Sequence, residues 1–260
     1  MYENYWGLQR PIFGSSAGRE ALAQSPVHAE ALARLEFLVQ SRLPLGLLIG
    51  PTGSGKTTVL AQFSQQARRG GTLAALIPCG GDEVFFLVRV ATGLQAEASG
   101  DGIQLWRQIV DRLEELRLEG LRALLLLDDL DRAPASVANY VEQLVAIPDS
   151  PLTAVFSSRP ETLRRIGSPL IDQAALRIDL APWTEGETWA YLDTTIAKAG
   201  RAQPAFDNAA VRRLFQLSGG APRRVNQLAQ LALVAGAAQK LTKVDAATID
   251  AVEEELSLAR

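Results

Sequence analysis

The chain has 260 residues, of which 47% are hydrophobic and 21% are charged, and its formal net charge at pH 7 is −3. This length is enough for one α/β core and a smaller appended domain. The weak negative charge excludes a global positive field that would draw the protein to nucleic acid or to an anionic membrane.

Compartment is indicated by three features of the sequence. Its apolar stretches, such as residues 123–127 and 231–238, are too short to span a bilayer. The first six residues lack the basic and apolar regions of a signal peptide. Cys79 is the only cysteine, so no intrachain disulfide can form. We therefore expect a cytoplasmic protein without a membrane span.

After a polar leader over residues 1–25, the first two thirds of the chain alternate between helix-like and strand-like segments. The predicted strands are 45–49, 73–77, 123–128, 153–158 and 177–180. The predicted helices are 27–41, 56–69, 83–95, 103–118, 134–147 and 161–166. This alternation predicts a parallel sheet flanked by helices on both faces.

From residue 182 onward the pattern is helical only. Thr184 followed by Glu187 is a capping-box signature, and further helices are predicted to begin at Asp207, near Pro222 and at Asp245. We therefore predict an α/β domain over residues 1–181 and a small all-helical domain over residues 182–260.

Residues 50–57 fit the phosphate-binding pattern G-x-x-x-x-G-K-[ST], placed between a predicted strand and a predicted helix. Glycines let the backbone turn so that successive N–H groups face phosphate oxygens, and the following helix adds the positive end of its dipole. The lysine can reach the β- and γ-phosphates, and the final hydroxyl can ligate Mg²⁺. The predicted nucleotide-binding residues of this loop are Gly50, Pro51, Thr52, Gly53, Ser54, Gly55, Lys56, Thr57 and Thr58.

An apolar strand that ends in an acid is the expected partner of such a loop, and here residues 123–127 lead into Asp128 and Asp129. We predict that Asp128 holds Mg²⁺ together with Thr57. Asp129 could act in catalysis by orienting the attacking water. Its side chain is one methylene shorter than glutamate, and small misplacements slow reactions strongly. Asp128, Asp129 and Asp131 could instead be acids of an ordinary strand-to-helix loop. This alternative is strongest for Asp131.

Two further sites carry polar residues at positions that can face a nucleotide. Ser158 and Arg159 end the fourth predicted strand and could sense the γ-phosphate, or could simply form the turn before the next helix. In the helical domain, Pro222 at a helix start places Arg223 and Arg224 in the first turn. A guanidinium held there could bridge phosphate oxygens and report hydrolysis as a domain rotation, although one of the two is expected to be a solvated surface charge.

Together these motifs resemble those of AAA+ ATPases. More closely, the chain resembles the AAA domain of the general secretion pathway protein A family across nearly its whole length. The segments that carry the resemblance are residues 5–13, 28–35, 50–57, 180–191 and 219–226. It implies a P-loop NTPase core with a helical lid, ATP or ADP and Mg²⁺ as ligands, and Arg223 at the sensor-2 position. It also implies oligomerisation on ATP binding and a role in secretion, pilus assembly or transposition.

The chain departs from this family at three places. The family usually has glutamate where Asp129 stands, Gly-Gln-Pro-Glu where residues 158–161 read Ser-Arg-Pro-Glu, and Gln-Arg where residues 172–173 read Asp-Gln. The first two departures resemble signal-transduction (STAND) NTPases, which work as nucleotide switches. The third weakens the transfer to this chain of the family's arginine that acts on a neighbouring subunit. Its alternative sources, which could equally be surface charges, are Arg164, Arg165 and Arg177.

Three functions therefore compete at this stage. The first is an Mg²⁺-dependent ATPase that moves its lid and works as a homo-oligomer with a protein partner that the sequence does not identify. The second is a slow-turnover switch that signals its nucleotide state to a protein partner. The third, a DNA-bound ATPase, has the least support because the chain lacks a basic stripe interleaved with aromatic residues.

Overall fold

The computed structural model describes residues 2–13, 22 and 25–258. The strands are β1 (Leu45–Ile49), β2 (Leu73–Pro78), β3 (Ala123–Asp128), β4 (Leu152–Ser158) and β5 (Leu176–Asp179). The helices before β3 are α1 (Tyr2–Trp6), α2 (Pro26–Gln40), α3 (Lys56–Arg69), α4 (Glu83–Gly93) and α5 (Gly102–Leu118). Those after β3 are α6 (Ala135–Val145), α7 (Ser168–Asp172), α8 (Glu185–Lys198), α9 (Asn208–Ser218), α10 (Pro222–Ala238) and α11 (Ala246–Leu258).

The five strands form one parallel sheet in the order β2-β3-β4-β1-β5. Strand β1 is buried along its entire length and pairs with β4 on one side and β5 on the other. A parallel strand covered on both faces reads as a continuous apolar run, and this explains why the strands could be found from sequence. The predicted fold class, a parallel sheet flanked by helices and followed by helices, is confirmed.

Several predicted bounds were wrong by a few residues. Helix α4 ends at Gly93 rather than at residue 95, because Gln95 adopts a left-handed φ of 59° that cannot continue an α-helix. The helix predicted over 161–166 is a 3-10 helix, Pro160–Arg165. The predicted leader includes the short helix α1, which no periodicity in five residues could have indicated.

The chain divides into two compact units. One unit comprises residues 30–50 and 56–180 and contains the whole sheet. Its core consists of the strand side chains and the apolar faces of the helices beside them, including Leu47, Leu125, Phe156, Val90 and Ile109.

The other unit comprises residues 1–29, 51–55 and 181–260. This division differs from the predicted one, which grouped all of residues 1–181 with the sheet. The physical reason is the apolar N-terminal segment: Trp6 is 1% exposed, donates its indole N–H to the Leu233 carbonyl at 2.7 Å and contacts Gly236. Phe13 belongs to the same core. In the part of the chain that the structure describes, no helix has both the length and the apolar content required to cross a membrane.

Candidate nucleotide-binding site

The sheet brings polar residues together at the carboxyl ends of its central strands. Gly50 follows β1 and donates its backbone N–H to the Ser158 carbonyl at 3.2 Å. Asp128 ends β3, and Ser157 and Ser158 end β4, which lies between β3 and β1. Ligands of open parallel sheets bind beyond this edge, where the connecting loops leave the strands.

Asp128 and Thr57, predicted together as the Mg²⁺ ligands, are in direct contact. The Thr57 hydroxyl donates to Asp128 Oδ2 at 2.7 Å. One hydroxyl and one carboxylate suit Mg²⁺, which takes oxygen ligands and usually keeps waters and substrate phosphates in its remaining positions. The side chains present therefore fit the metal that the fold implies.

Ser157 completes this arrangement and was missed by the sequence analysis. Its hydroxyl donates to Asp128 Oδ1 at 2.7 Å and accepts the backbone N–H of Asp129 at 2.8 Å. Because the side chain is fully buried, it fixes the Asp128 carboxylate from the strand next to it. The available signal was a serine one position inside the end of an otherwise apolar strand.

Lys56 begins helix α3 and is only 6% exposed. Its ammonium donates to the Gly50 carbonyl at 2.7 Å. Burial lowers the pKa of Lys56, and the carboxylates of Asp129, Asp131 and Asp128 act in the opposite direction. The lysine thus lies among acids at the edge of the sheet, as a phosphate-binding cation in a P-loop does.

The phosphate loop adopts the backbone that its glycines allow. Gly53 and Gly55 have φ values of +80° and +100°, which side-chain-bearing residues rarely adopt. Of the other predicted residues of the loop, Pro51 is partly buried and Thr52 is exposed, while Thr58 lies in the first turn of α3.

Arg223 lies beside the loop. Its backbone N–H, in the first turn of α10, donates to the Gly53 carbonyl at 3.1 Å, and a Cβ at Gly53 would lie 3.0 Å from the Arg223 Cβ. The Arg223 side chain is exposed and makes no hydrogen bond or ion pair with the described residues. Arg224, by contrast, pairs with Glu253.

His28 was not predicted to be a site residue, yet it contacts the same loop. It is 1% exposed, its Nε2 lies 2.8 Å from the Ser54 carbonyl oxygen, and its Nδ1 lies 2.6 Å from the Ser25 hydroxyl. Sequence spacing gives no indication of this contact, because His28 and Ser54 are 26 positions apart.

Asp129 follows the strand in a left-handed conformation with φ 54°. Its carboxylate is 37% exposed and lies 3.7 Å from Arg132. This placement beside Asp128 leaves an accessible carboxylate at the sheet edge.

Arg159 is bound to protein rather than pointing freely into solvent. Its Nε donates to Asp131 Oδ2 at 2.8 Å, and the Thr162 hydroxyl donates to the same oxygen. The Asp131 side chain is fully buried, so this acid is a structural anchor and not part of a solvated loop. Ser158 is also fully buried and donates its hydroxyl to the Arg159 carbonyl at 3.0 Å.

The three arginines considered for action on a neighbouring subunit are all exposed. Arg177 pairs with Asp179 at 3.0 Å, two positions along the same strand. Arg164 and Arg165 lie at the end of the 3-10 helix that follows Arg159.

Comparison with known proteins agrees with this fold and loop. A protein-family model described as an AAA domain matches residues 40–166. General secretion pathway protein A from Aeromonas hydrophila is 29% identical over 266 residues, which cover 99% of this chain and 49% of that protein. The chain therefore spans about half the length of this curated relative.

Solved structures with the same fold come from archaeal and bacterial proteins. Cdc6p from Pyrobaculum aerophilum has a TM-score of 0.70 at 16% identity, over 97% of this chain and 70% of that one. The Aeropyrum pernix ORC1 protein, solved in complex with DNA, has a TM-score of 0.65 at 20% identity, over 92% of this chain and 69% of that one. The Thermotoga maritima RuvB Holliday junction branch migration motor has a TM-score of 0.59 at 17% identity, over 95% of this chain and 73% of that one.

The parallel sheet and the glycine-rich loop show the fold of P-loop NTPases, and residues 40–166 are similar to the AAA domain of the matched family model. The predicted resemblance to the general secretion pathway protein A family is confirmed.

Proposed function

We propose that this protein is an Mg²⁺-dependent ATPase that couples its nucleotide state to movement of its helical lid and to oligomerisation. The observation that carries the proposal is the Thr57–Asp128 hydrogen bond of 2.7 Å at the carboxyl edge of the sheet. Two residues 71 positions apart meet there with the geometry that Mg²⁺–nucleotide binding needs.

The roles of individual residues follow from their positions. Thr57 and Asp128 would hold Mg²⁺, which when bound supplies positive charge to the phosphate oxygens. Lys56 binds the β- and γ-phosphates, and the loop N–H groups orient them. Asp129, whose carboxylate is 37% exposed, orients the attacking water.

Arg223 supports coupling between nucleotide and lid. The first turn of α10 is already attached to the phosphate loop through the Arg223 N–H, while the side chain of the same residue is exposed and makes no bond with the described residues. A γ-phosphate would give the Arg223 guanidinium a partner. Loss of that phosphate on hydrolysis would release the guanidinium. Secretion, pilus assembly and transposition are the processes we propose, on the resemblance to general secretion pathway protein A.

The test is ATP turnover by the full chain and by Lys56→Ala, with Lys243→Ala as the matched control. Lys243 is an exposed lysine, so its loss removes the same charge from a site without phosphate contacts. Removing a preorganised cation from the transferred phosphates should lower turnover by at least about a hundredfold, whereas Lys243→Ala should match the parent. Equal turnover rates in the parent and Lys56→Ala would contradict the assignment of this loop as the ATPase site.

A second function, a slow nucleotide switch, is favoured by Arg159 and Asp131. Because Arg159 is hydrogen-bonded to a buried carboxylate, the site has one fewer cation available for the transition state. Such a protein would bind nucleotide tightly, hydrolyse it slowly and signal its state to a protein partner.

DNA binding has the weakest support. Three of the arginines on the helices after residue 181 are neutralised by ion pairs: Arg212 with Glu185, Arg213 with Asp250 and Arg224 with Glu253. Neutralised arginines release few counterions from a phosphate backbone, so we expect weak binding with a shallow salt dependence.

A further inference from the structure

We propose that His28 is a positioning residue for the phosphate loop, in which its Nε2–H holds the Ser54 carbonyl so that the Gly55 N–H is turned toward the phosphates. This inference rests on the proposed nucleotide site. It adds to that site a residue from the N-terminal segment that belongs to none of the loop's own motif positions.

The hydrogen bonds determine where the proton of His28 lies. The Ser54 carbonyl can only accept, so Nε2 must carry a hydrogen. In the neutral ring Nδ1 is then an acceptor, and the Ser25 hydroxyl at 2.6 Å donates to it. Burial lowers the pKa of His28, with the Ser54 carbonyl and Glu187 opposing this effect. Ser25 thereby selects the tautomer that presents Nε2–H to the loop.

The direction of the Gly55 N–H follows from peptide geometry. A trans peptide is planar, and its C=O and N–H bonds point in opposite directions. The described residues include no cis peptide bond. Fixing the Ser54 carbonyl toward His28 therefore turns the Gly55 N–H to the opposite side, where a P-loop binds phosphate.

Close packing shows that the loop and the imidazole fit one another. A Cβ added to Gly55 would come closer to His28 Nε2 than non-bonded atoms can approach, and the φ of Gly55 is +100°. The Trp183 ring packs against the imidazole in a T-shaped arrangement at 6.1 Å between ring centroids. His28 is therefore held on two sides, by Ser25 and by Trp183, and presents one nitrogen to the loop.

The test compares His28→Gln with His28→Asn, two amides that differ in reach. The glutamine nitrogen can take the place of Nε2 and donate to the Ser54 carbonyl, whereas the asparagine nitrogen falls near Nδ1 and cannot. Kd for ADP and ATP, KM and kcat, and the melting temperature without nucleotide are measured for both variants and the parent.

We expect His28→Asn to raise Kd and KM about tenfold, which corresponds to one weakened charge-assisted hydrogen bond. We expect kcat to change by less than about threefold, because the loop N–H contacts the phosphates equally in the ground state and the transition state. His28→Gln should stay within about threefold of the parent in all three constants.

Two outcomes would overturn the inference. The first is that His28→Asn binds nucleotide as tightly as the parent does. The second is that both amides lose affinity equally while the nucleotide-free melting temperature falls, which is the result expected if His28 serves only in packing. If His28→Asn does not fold, Ser25→Ala decides: we expect a several-fold rise in Kd from the lost tautomer selection, and an unchanged Kd rejects the idea. Failure of the proposed function is a separate result, because then the parent itself would not bind nucleotide.

Discussion

Asp129 is the residue that best distinguishes the two proposed functions, an Mg²⁺-dependent ATPase and a slow nucleotide switch. It lies directly after Asp128, which is fixed by Thr57 and Ser157, but its own backbone is left-handed and its carboxylate is 37% exposed. An aspartate at this point reaches about one methylene less far than a glutamate would. The proposed water-orienting role therefore requires the attacking water to lie within reach of this shorter side chain.

Asp129→Glu tests this reach. We expect turnover to rise about tenfold or more, because an ångström of misplacement can cost a factor near a hundred. Turnover is measured at saturating ATP, beside Asp129→Asn, which keeps the shape without the charge and should be inactive. A lower rate in the glutamate variant would mean that the aspartate is already correctly placed for this backbone.

Arg159 and Asp131 form an ion pair that the sequence analysis did not predict. Both were polar residues in the right place in the sequence, one a possible sensor and the other a possible loop acid. In the structure the Asp131 carboxylate is buried and accepts from Arg159 and from Thr162. An unpaired buried carboxylate is costly, so the arginine contributes more by neutralising it than by extending toward a ligand.

At the scale of elements, the caps agree best with the sequence pattern. The predicted capping box of α8 is present: the Glu187 N–H donates to the Thr184 hydroxyl, and the Thr184 N–H donates to the Glu187 carboxylate. Asp207 likewise caps α9 by accepting the Ala210 N–H. These contacts are local, and a local rule predicts them without knowledge of the fold.

Thr184→Ala should destabilise the protein by about 1 kcal/mol, because one N-terminal N–H group of α8 loses its acceptor. Glu187→Gln is the matched control, since glutamine also completes a capping box and should change stability by less than about 0.5 kcal/mol. Urea unfolding followed by circular dichroism measures both. A loss in Glu187→Gln as large as that in Thr184→Ala would show that charge, and not capping, is responsible.

At the scale of the whole molecule, we propose that the ATPase site is completed by a cation from a second copy. Arg164 and Arg165 are exposed, and Arg177 is paired with the exposed Asp179. If one of these arginines completes the site of a neighbouring copy, catalysis requires contact between copies. The arginine would act by stabilising the negative charge of the transition state.

Turnover per subunit should therefore rise steeply with protein concentration and level off once the oligomer has formed. Mixing the parent with Lys56→Ala at constant total concentration provides the control, because inactive copies should lower turnover by more than their share. A flat concentration dependence together with tight nucleotide binding would support the switch instead.

The sequence by itself determined what depends on near neighbours along the chain. The apolar runs predicted the strands, the glycine spacing predicted the left-handed turns of the loop after β1, and the acid at the end of β3 indicated the residue that we propose as a metal ligand. The physical reason is that strand burial, turn geometry and helix capping are set within a few residues, where pattern and structure correspond directly.

Only the tertiary structure decided which distant groups meet. Ser157 on Asp128, Asp131 under Arg159, His28 on Ser54 and Trp6 among the C-terminal helices are all contacts across 26 or more positions. They arise because strand order and helix packing bring chain segments together irrespective of their spacing. Because a buried polar side chain needs a hydrogen-bond partner, the role of such a side chain depends on which group the fold places beside it.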